Sequence, residues 1–177
     1  MMGSGKSETG RELARLMGRR FVDCDELVAA EAGRSIPEIF KAEGEAGFRR
    51  RESETLAGVL ARGDAAVIAT GGGVVTVAGN RALLDAAAVC WLRARPEVLA
   101  ARVGDGSGRP MLASVAGDEG ALGRLRRILA DREPAYREVA DIVVDVDDLS
   151  PGQAARAVAG RLGDVEGWLD GPCEAAS

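Results

Sequence analysis

A chain of 177 residues, 46% apolar and 29% charged, has the length and balance of one globular domain with a substantial core. Its net charge of −5 runs against a nucleic-acid binder, which carries a basic surplus, but leaves room for local arginine clusters that hold an anion. The absence of histidine excludes Ser–His and Cys–His nucleophile pairs and every His-ligated metal. The chemistry left to it is that of carboxylates, Lys, Arg, backbone amides and a metal held by oxygen.

The chain opens on MMGSGKSETG, whose GSGKS matches the end of the phosphate-loop pattern G-x-x-x-x-G-K-[ST]. In such a loop, glycines let successive N–H groups curl around phosphate oxygens, and the helix that follows adds its positive N-terminus. Gly3, Ser4 and Gly5 would supply that cradle, Lys6 would reach the β- and γ-phosphates, and Ser7 would ligate Mg²⁺. The bland alternative is a disordered Gly/Ser-rich tail. Counted back from Lys6, the first Gly of the pattern falls one position before Met1, so the β-strand that normally leads into the loop is expected upstream of the sequence.

The helix after the loop spans Ser7 to Gly18, with Leu13, Leu16 and Met17 as its apolar stripe. RRFVDCD then reads as a short strand that ends in two acids. If the extended geometry persists, Asp23 and Asp25 share a face and aim at one site, with Cys24 turned to the core. Hard oxygen ligands of this kind suit Mg²⁺, and a carboxylate beside a hydroxyl positions it or takes its proton. The competing reading makes Asp25 the N-cap of the next helix. SIPEIF carries a capping signature, Ser35 with Glu38, and Pro37 in the first turn. A helix over 45–62 follows and carries Arg49, Arg50 and Arg51, a run that is either a solvated face or a set of anion ligands.

AAVIATGGG is a buried strand that runs into Gly71, Gly72 and Gly73. One glycine would serve a plain turn, so three point to a backbone approached closely by something else. AAVCWL is the next strand, and Pro96 opens the helix after it. Residues 104–108 are flexible by composition, and Arg109 in GSGRPML is suited to closing over phosphates. A long Arg-rich amphipathic helix that includes Arg132, the strand DIVVDV and a helix from Pro151 to about Leu162 complete the pattern. Strands that alternate with helices imply an α/β sandwich with a mainly parallel sheet.

Cys24, Cys90 and Cys173 are too few and too scattered for a disulfide framework or a zinc site, so a reducing cytoplasm is the expected setting. No apolar run approaches the roughly 20 residues of a membrane span, and no signal-peptide pattern opens the chain.

GSGKS, FVDCDELV, GRSIPEIFKAEGEAGFRRRE, ATGGGVV, GRPML and REPAYREVAD occur in the order found in shikimate kinases, which the chain resembles from Gly3 to about Leu162. The phosphate loop is common to many NTPases. The two-Asp strand combined with IF..EGE..FR..E and GGG is specific. The resemblance implies a three-layer α/β/α P-loop kinase fold with a mainly parallel central sheet, a mobile lid at about 104–118 and a domain over 1–163 followed by a flexible tail over 164–177. It implies transfer of the ATP γ-phosphate to the 3-hydroxyl of shikimate, by a monomer with Mg²⁺ and with neither nucleic acid nor membrane as partner. Lys6 and Ser7 would hold phosphate and metal, Asp23 would support the metal through water, and Asp25 would position or deprotonate the acceptor hydroxyl. Arg49 and Arg132 would grip the shikimate carboxylate, and Gly71, Gly72 and Gly73 would line the same pocket. Arg109 would be the lid arginine, and Arg102 and Pro151 would flank adenine. The alternatives are a kinase of another hydroxy acid, such as gluconate, and a non-catalytic relative that binds ligand without turnover. One departure is Glu8, where the family commonly has Thr. The other is the missing strand, which lies in the middle of the sheet in this fold. Its absence makes the chain as written an expected weak folder with little or no activity.

Overall fold

The computed structural model describes residues 1–103 and 120–163. Helix α1, Lys6–Met17, starts directly from the glycine loop and ends on Gly18 in the left-handed conformation, where the absence of a Cβ removes the usual penalty. Strand β1, Arg20–Asp23, then passes without a break into α2, Cys24–Ala32. Helix α3, Ile36–Leu60, begins with the expected capping pair, the Glu38 carboxylate accepting from the Ser35 N–H at 2.8 Å and from its hydroxyl at 2.7 Å. It bends at Gly44, whose φ of 69° and ψ of −175° interrupt the helix and separate the segment that begins at Ser35 from the one that carries the arginines.

Strand β2 is Ala66–Ala69, and the glycine triad leads from it into a 3-10 turn at Val74–Thr76 and helix α4, Ala78–Leu84. Neither of the last two was expected from the sequence. Strand β3, Cys90–Arg93, and helix α5, Pro96–Val103, follow. Beyond the undescribed stretch come α6, Gly120–Val139, β4, Ile142–Asp145, and α7, Pro151–Leu162. The lid expected at 104–118, with Arg109, and the tail expected over 164–177 lie outside the described residues.

All strand pairing is parallel, as the alternation of elements predicts, but the described strands form two separate pairs: β1 with β2, in the register Phe21 opposite Val67, and β3 with β4, Trp91 opposite Val143. The division falls where the strand expected in the middle of the sheet would lie. Among the described residues no strand joins β2 to β3. The stretch Met1–Gly3 lies between the two pairs at their C-terminal ends. Met1 meets Gly72, just past β2, and Gly3 packs on Leu99 and Val103 of the helix that follows β3. Met1 is 4% exposed and belongs to the same apolar core as Leu13, Leu56, Trp91, Leu99 and Val144. A smaller cluster, Val28, Ile39 and Phe48, fastens α2 to α3.

Candidate active site

The loop at the N-terminus has the geometry of an anion cradle. Gly3 and Gly5 both take left-handed backbone, at φ 77° and 78°, and α1 starts one residue later, so the N–H groups of its first turn face the loop. The Ser4 hydroxyl and the Lys6 ammonium both donate to the Met1 carbonyl, each at 2.8 Å, which folds the loop back on itself. Ser7 Oγ donates to Asp23 Oδ2 at 2.5 Å, so the predicted metal ligand and the predicted supporting acid are already joined across the end of β1. A hydroxyl and a carboxylate at a helix N-terminus, beside an ammonium, form a donor set that fits a nucleotide phosphate with a hard divalent cation.

The two acids of FVDCD do not share an extended face. The strand stops at Asp23, and Asp25 lies in the first turn of α2. The capping role belongs to Asp23, not Asp25: Asp23 Oδ1 accepts from the N–H of Asp25 at 3.0 Å and of Glu26 at 3.4 Å. Capping by Asp23 leaves the Asp25 carboxylate turned into the cleft, close to Gly71. Burial raises its pKa above the usual 3.8, the nearby Lys6 ammonium opposes that rise, and the Asp23 carboxylate adds to it. Cys24 is core, as expected, 1% exposed with its thiol pushed up to about 12 by burial.

The arginine run divides as its two readings did. Arg49 lies in the cleft, its guanidinium 2.6 Å from Glu52 and over the Phe48 ring at 5.3 Å. Arg50 is exposed, and Arg51 pairs with Glu43 at 2.8 Å. Glu52, which sequence reasoning gave no role, is 1% exposed and one of its oxygens has no hydrogen-bond partner among the described residues. Burial raises its pKa, opposed by Arg49. Its place in FRRRE, three residues after Arg49 on a helix, is the signal that pairs them.

The glycine triad is explained by the side chains that crowd it. None of Gly71, Gly72 and Gly73 has positive φ, so no turn requires them. A Cβ on Gly71 would strike Glu52 and lie 3.0 Å from an Asp25 oxygen, and one on Gly73 would strike the Arg49 guanidinium. A Cβ on Gly72 would lie 3.1 Å from Met1 and 3.3 Å from the Tyr136 hydroxyl. Each glycine makes room for a different polar group of the site. Arg132, 8% exposed on α6, donates to the Gly72 carbonyl at 3.2 Å, and Tyr136 donates to the same oxygen.

These groups line one continuous cleft of about 690 Å³ that runs from the loop to Asp25, Arg49, the glycines and Arg132. Its other end is formed by Arg102 and Pro151 together with Val146 and Leu149. Arg102 is fixed there by donating to the carbonyls of Val146 and Asp147 at 2.8 and 2.9 Å. Of the candidate site residues named from the sequence, only Arg109 falls outside the described structure. Helices packed about parallel strands, with a phosphate loop feeding a cleft that holds Asp25, Glu52, Arg49 and Arg132, define a P-loop kinase of a small anionic acceptor.

Comparison with known proteins narrows the class. The shikimate kinase family model matches residues 2–162, so the chain belongs to the shikimate kinase family. It is 46% identical over 162 residues to the shikimate kinase of Halorhodospira halophila, covering 91% of this chain and 86% of that one. It is 49% identical over 151 residues to that of Symbiobacterium thermophilum, covering 83% of each. Among solved structures, shikimate kinase from Acinetobacter baumannii in complex with shikimate aligns with a TM-score of 0.84 at 34% identity, over 92% of this chain and 89% of that one. The enzyme from Aquifex aeolicus aligns at 0.77 and 29% identity, over 92% of each chain.

Proposed function

We infer that this chain is a shikimate kinase that uses ATP to phosphorylate the 3-hydroxyl of shikimate, releasing ADP and shikimate 3-phosphate on the route to chorismate. The observation that carries the reading is the continuous cleft in which a phosphate cradle opens toward Asp25, with Arg49 and Arg132 beyond it. Phosphoryl transfer asks the protein for alignment and charge neutralisation more than for covalent chemistry. A site without histidine is sufficient for that.

Gly3, Ser4, Gly5 and Lys6 would hold the phosphates, and Arg102 and Pro151 would enclose adenine at the far end. Ser7 and, through water, Asp23 would hold Mg²⁺, and the hydrogen bond between them supports that pairing. When bound, Mg²⁺ supplies neutralisation of the phosphate charge. Asp25 orients the attacking hydroxyl and accepts its proton. Arg49, held by Glu52, and Arg132, held on the Gly72 carbonyl, present guanidinium groups to the shikimate carboxylate. Gly71, Gly72 and Gly73 line the acceptor pocket with backbone, and Arg109 would act from the lid.

Action as a monomer belongs to the same reading. The free thiols of Cys24 and Cys90 and the use of ATP support a cytoplasmic setting. No described helix is long and apolar enough to cross a membrane.

The test is ADP release from MgATP measured with shikimate, with gluconate and with no acceptor. Release that depends on shikimate, at a low rate, is the expected result. ATP binding with no release under any condition would overturn the reading in favour of a non-catalytic relative, and release with gluconate alone would reassign the acceptor.

A further inference from the structure

The phenol of Tyr136 is aimed at the acceptor pocket from behind it. Tyr136 is 6% exposed on α6, one helical turn beyond Arg132, and its ring stacks on Trp91 of β3, with centroids 5.3 Å apart and planes 20° from parallel. The Trp91 indole N–H is buried without a partner among the described residues, so stacking is what holds this pair. The Tyr136 hydroxyl lies beside the Arg132 guanidinium and donates to the Gly72 carbonyl, to which Arg132 also donates. A carbonyl only accepts, so the phenol acts here in its protonated form. Burial favours that form, raising the Tyr136 pKa.

Two donors on one carbonyl fix a peptide plane. The peptide joining Gly72 to Gly73 is trans, since the chain has no cis bond among its described residues, so the Gly73 N–H points opposite to the Gly72 carbonyl. With the carbonyl tied to α6, that N–H faces away from Tyr136 and Arg132. Among the described residues the N–H groups of Gly72 and Gly73 donate to no backbone carbonyl, whereas Val74 donates to Gly71 and Thr76 to Gly73. Gly73 itself lines the cleft.

We propose that Tyr136 is a positioning residue for acceptor binding: its hydroxyl clamps the Gly72 carbonyl and the Arg132 guanidinium together, so that the Gly73 N–H and Arg132 meet the acceptor in one fixed arrangement. The proposal rests on the functional reading above for the identity of the acceptor, but the clamp itself is a property of the ligand-free protein. Tyr136 does not itself line the cleft. It acts through two groups that do.

Tyr136→Phe removes the hydroxyl and keeps the ring and its stack on Trp91. In steady-state assays the KM for shikimate is expected to rise roughly five- to tenfold, about the weight of one hydrogen bond, with the KM for ATP unchanged within about twofold. In the ligand-free protein, the amide resonance of Gly73 is expected to shift in the variant, while the thermal midpoint stays within a few degrees. An unchanged shikimate KM with an unmoved Gly73 amide would overturn the proposal. So would equal rises in both KM values with a large fall in the midpoint, which would mark a merely structural role. If the parent protein does not use shikimate, the functional reading fails, and the Gly73 amide still decides the clamp.

Discussion

Asp25 is the side chain whose work depends most directly on its charge. To accept the proton of an attacking hydroxyl it must be ionised, and burial makes ionisation harder, raising its pKa above 3.8 despite the pull of Lys6. The sign follows. Activity is full above the raised pKa and falls as pH drops through it, so the acid limb of kcat/KM is displaced above the ordinary aspartate range. Asp25→Asn should lower kcat by about 10²–10⁴-fold and abolish that limb, as read in a pH series of coupled-assay rates. A variant that keeps the limb while losing rate would move it to Glu52, a fully buried carboxyl of the site whose pKa is raised by the same cause. The contrast between the two acids also shows where residue-level reading stops. Asp25 was visible as one of a pair at a strand end, although the helix that places it there starts two residues earlier than an extended reading allows. Glu52 and Tyr136 act through contacts with Gly71 and Gly72, some 20 and 60 residues away in sequence, and no local pattern announces such meetings.

Helix boundaries were legible wherever the residue at the boundary has a backbone reason to be there. Gly18 takes left-handed φ at the end of α1, Ser35 and Glu38 cap α3, and Pro151 follows a capping Ser150 at the start of α7. The 3-10 turn at Val74–Thr76 and helix α4 were not legible, because what secures them is tertiary. Asn80 is 1% exposed and its side-chain amide donates to the Val74 carbonyl, while Arg81 donates to that of Val75. Those bonds hold the segment that leaves the glycine triad, so α4 serves the site although it contributes no side chain to it. Helix α3 depends in the same way on one backbone position. Gly44 has φ 69° and ψ −175°, with no atom within 4 Å of where its Cβ would stand, so replacing it tests conformation without a clash. Gly44→Ala should destabilise the fold by about 1–2 kcal/mol in urea unfolding, the cost of forcing an L side chain out of its allowed backbone region. The bend sets the direction of the segment that carries Arg49, so the shikimate KM should rise with it. An alanine variant with unchanged stability would mean that α3 runs straight without loss.

At the scale of the molecule, the division of the strands into two pairs is the feature that most affects stability. Strands β2 and β3 each have a parallel partner on one edge and none among the described residues on the other. In β2 the apolar side chains of Val67 and Ile68 remain only half-buried, although α1 packs on that pair. An inner strand of an α/β fold is ordinarily covered on both faces and paired on both edges. Met1–Gly3 lies at the C-terminal ends of both pairs, between Gly72 and the Leu99–Val103 segment of α5. A chain entering Met1 from the opposite end of the molecule, parallel to all four strands, would therefore run between β2 and β3 and pair with each. Five β-branched residues followed by one glycine, placed ahead of Met1, are expected to join the two pairs into one five-stranded sheet. With net contributions of about 0.5–1.5 kcal/mol for each new ladder hydrogen bond, the gain should reach several kcal/mol. For a domain of this size that corresponds to a rise in thermal midpoint on the order of 10 °C. The phosphate loop, then anchored from both sides, should also gain activity. The control is an extension of equal length made of Gly, Ser and Asp, which cannot hold a buried strand. Equal midpoints and equal rates for the two extended proteins and the chain without extension would show that the two pairs are already satisfied as they stand. A rise confined to the apolar extension would show that the gap between β2 and β3 is a strand site, and that loop geometry and sheet continuity are one property of this molecule.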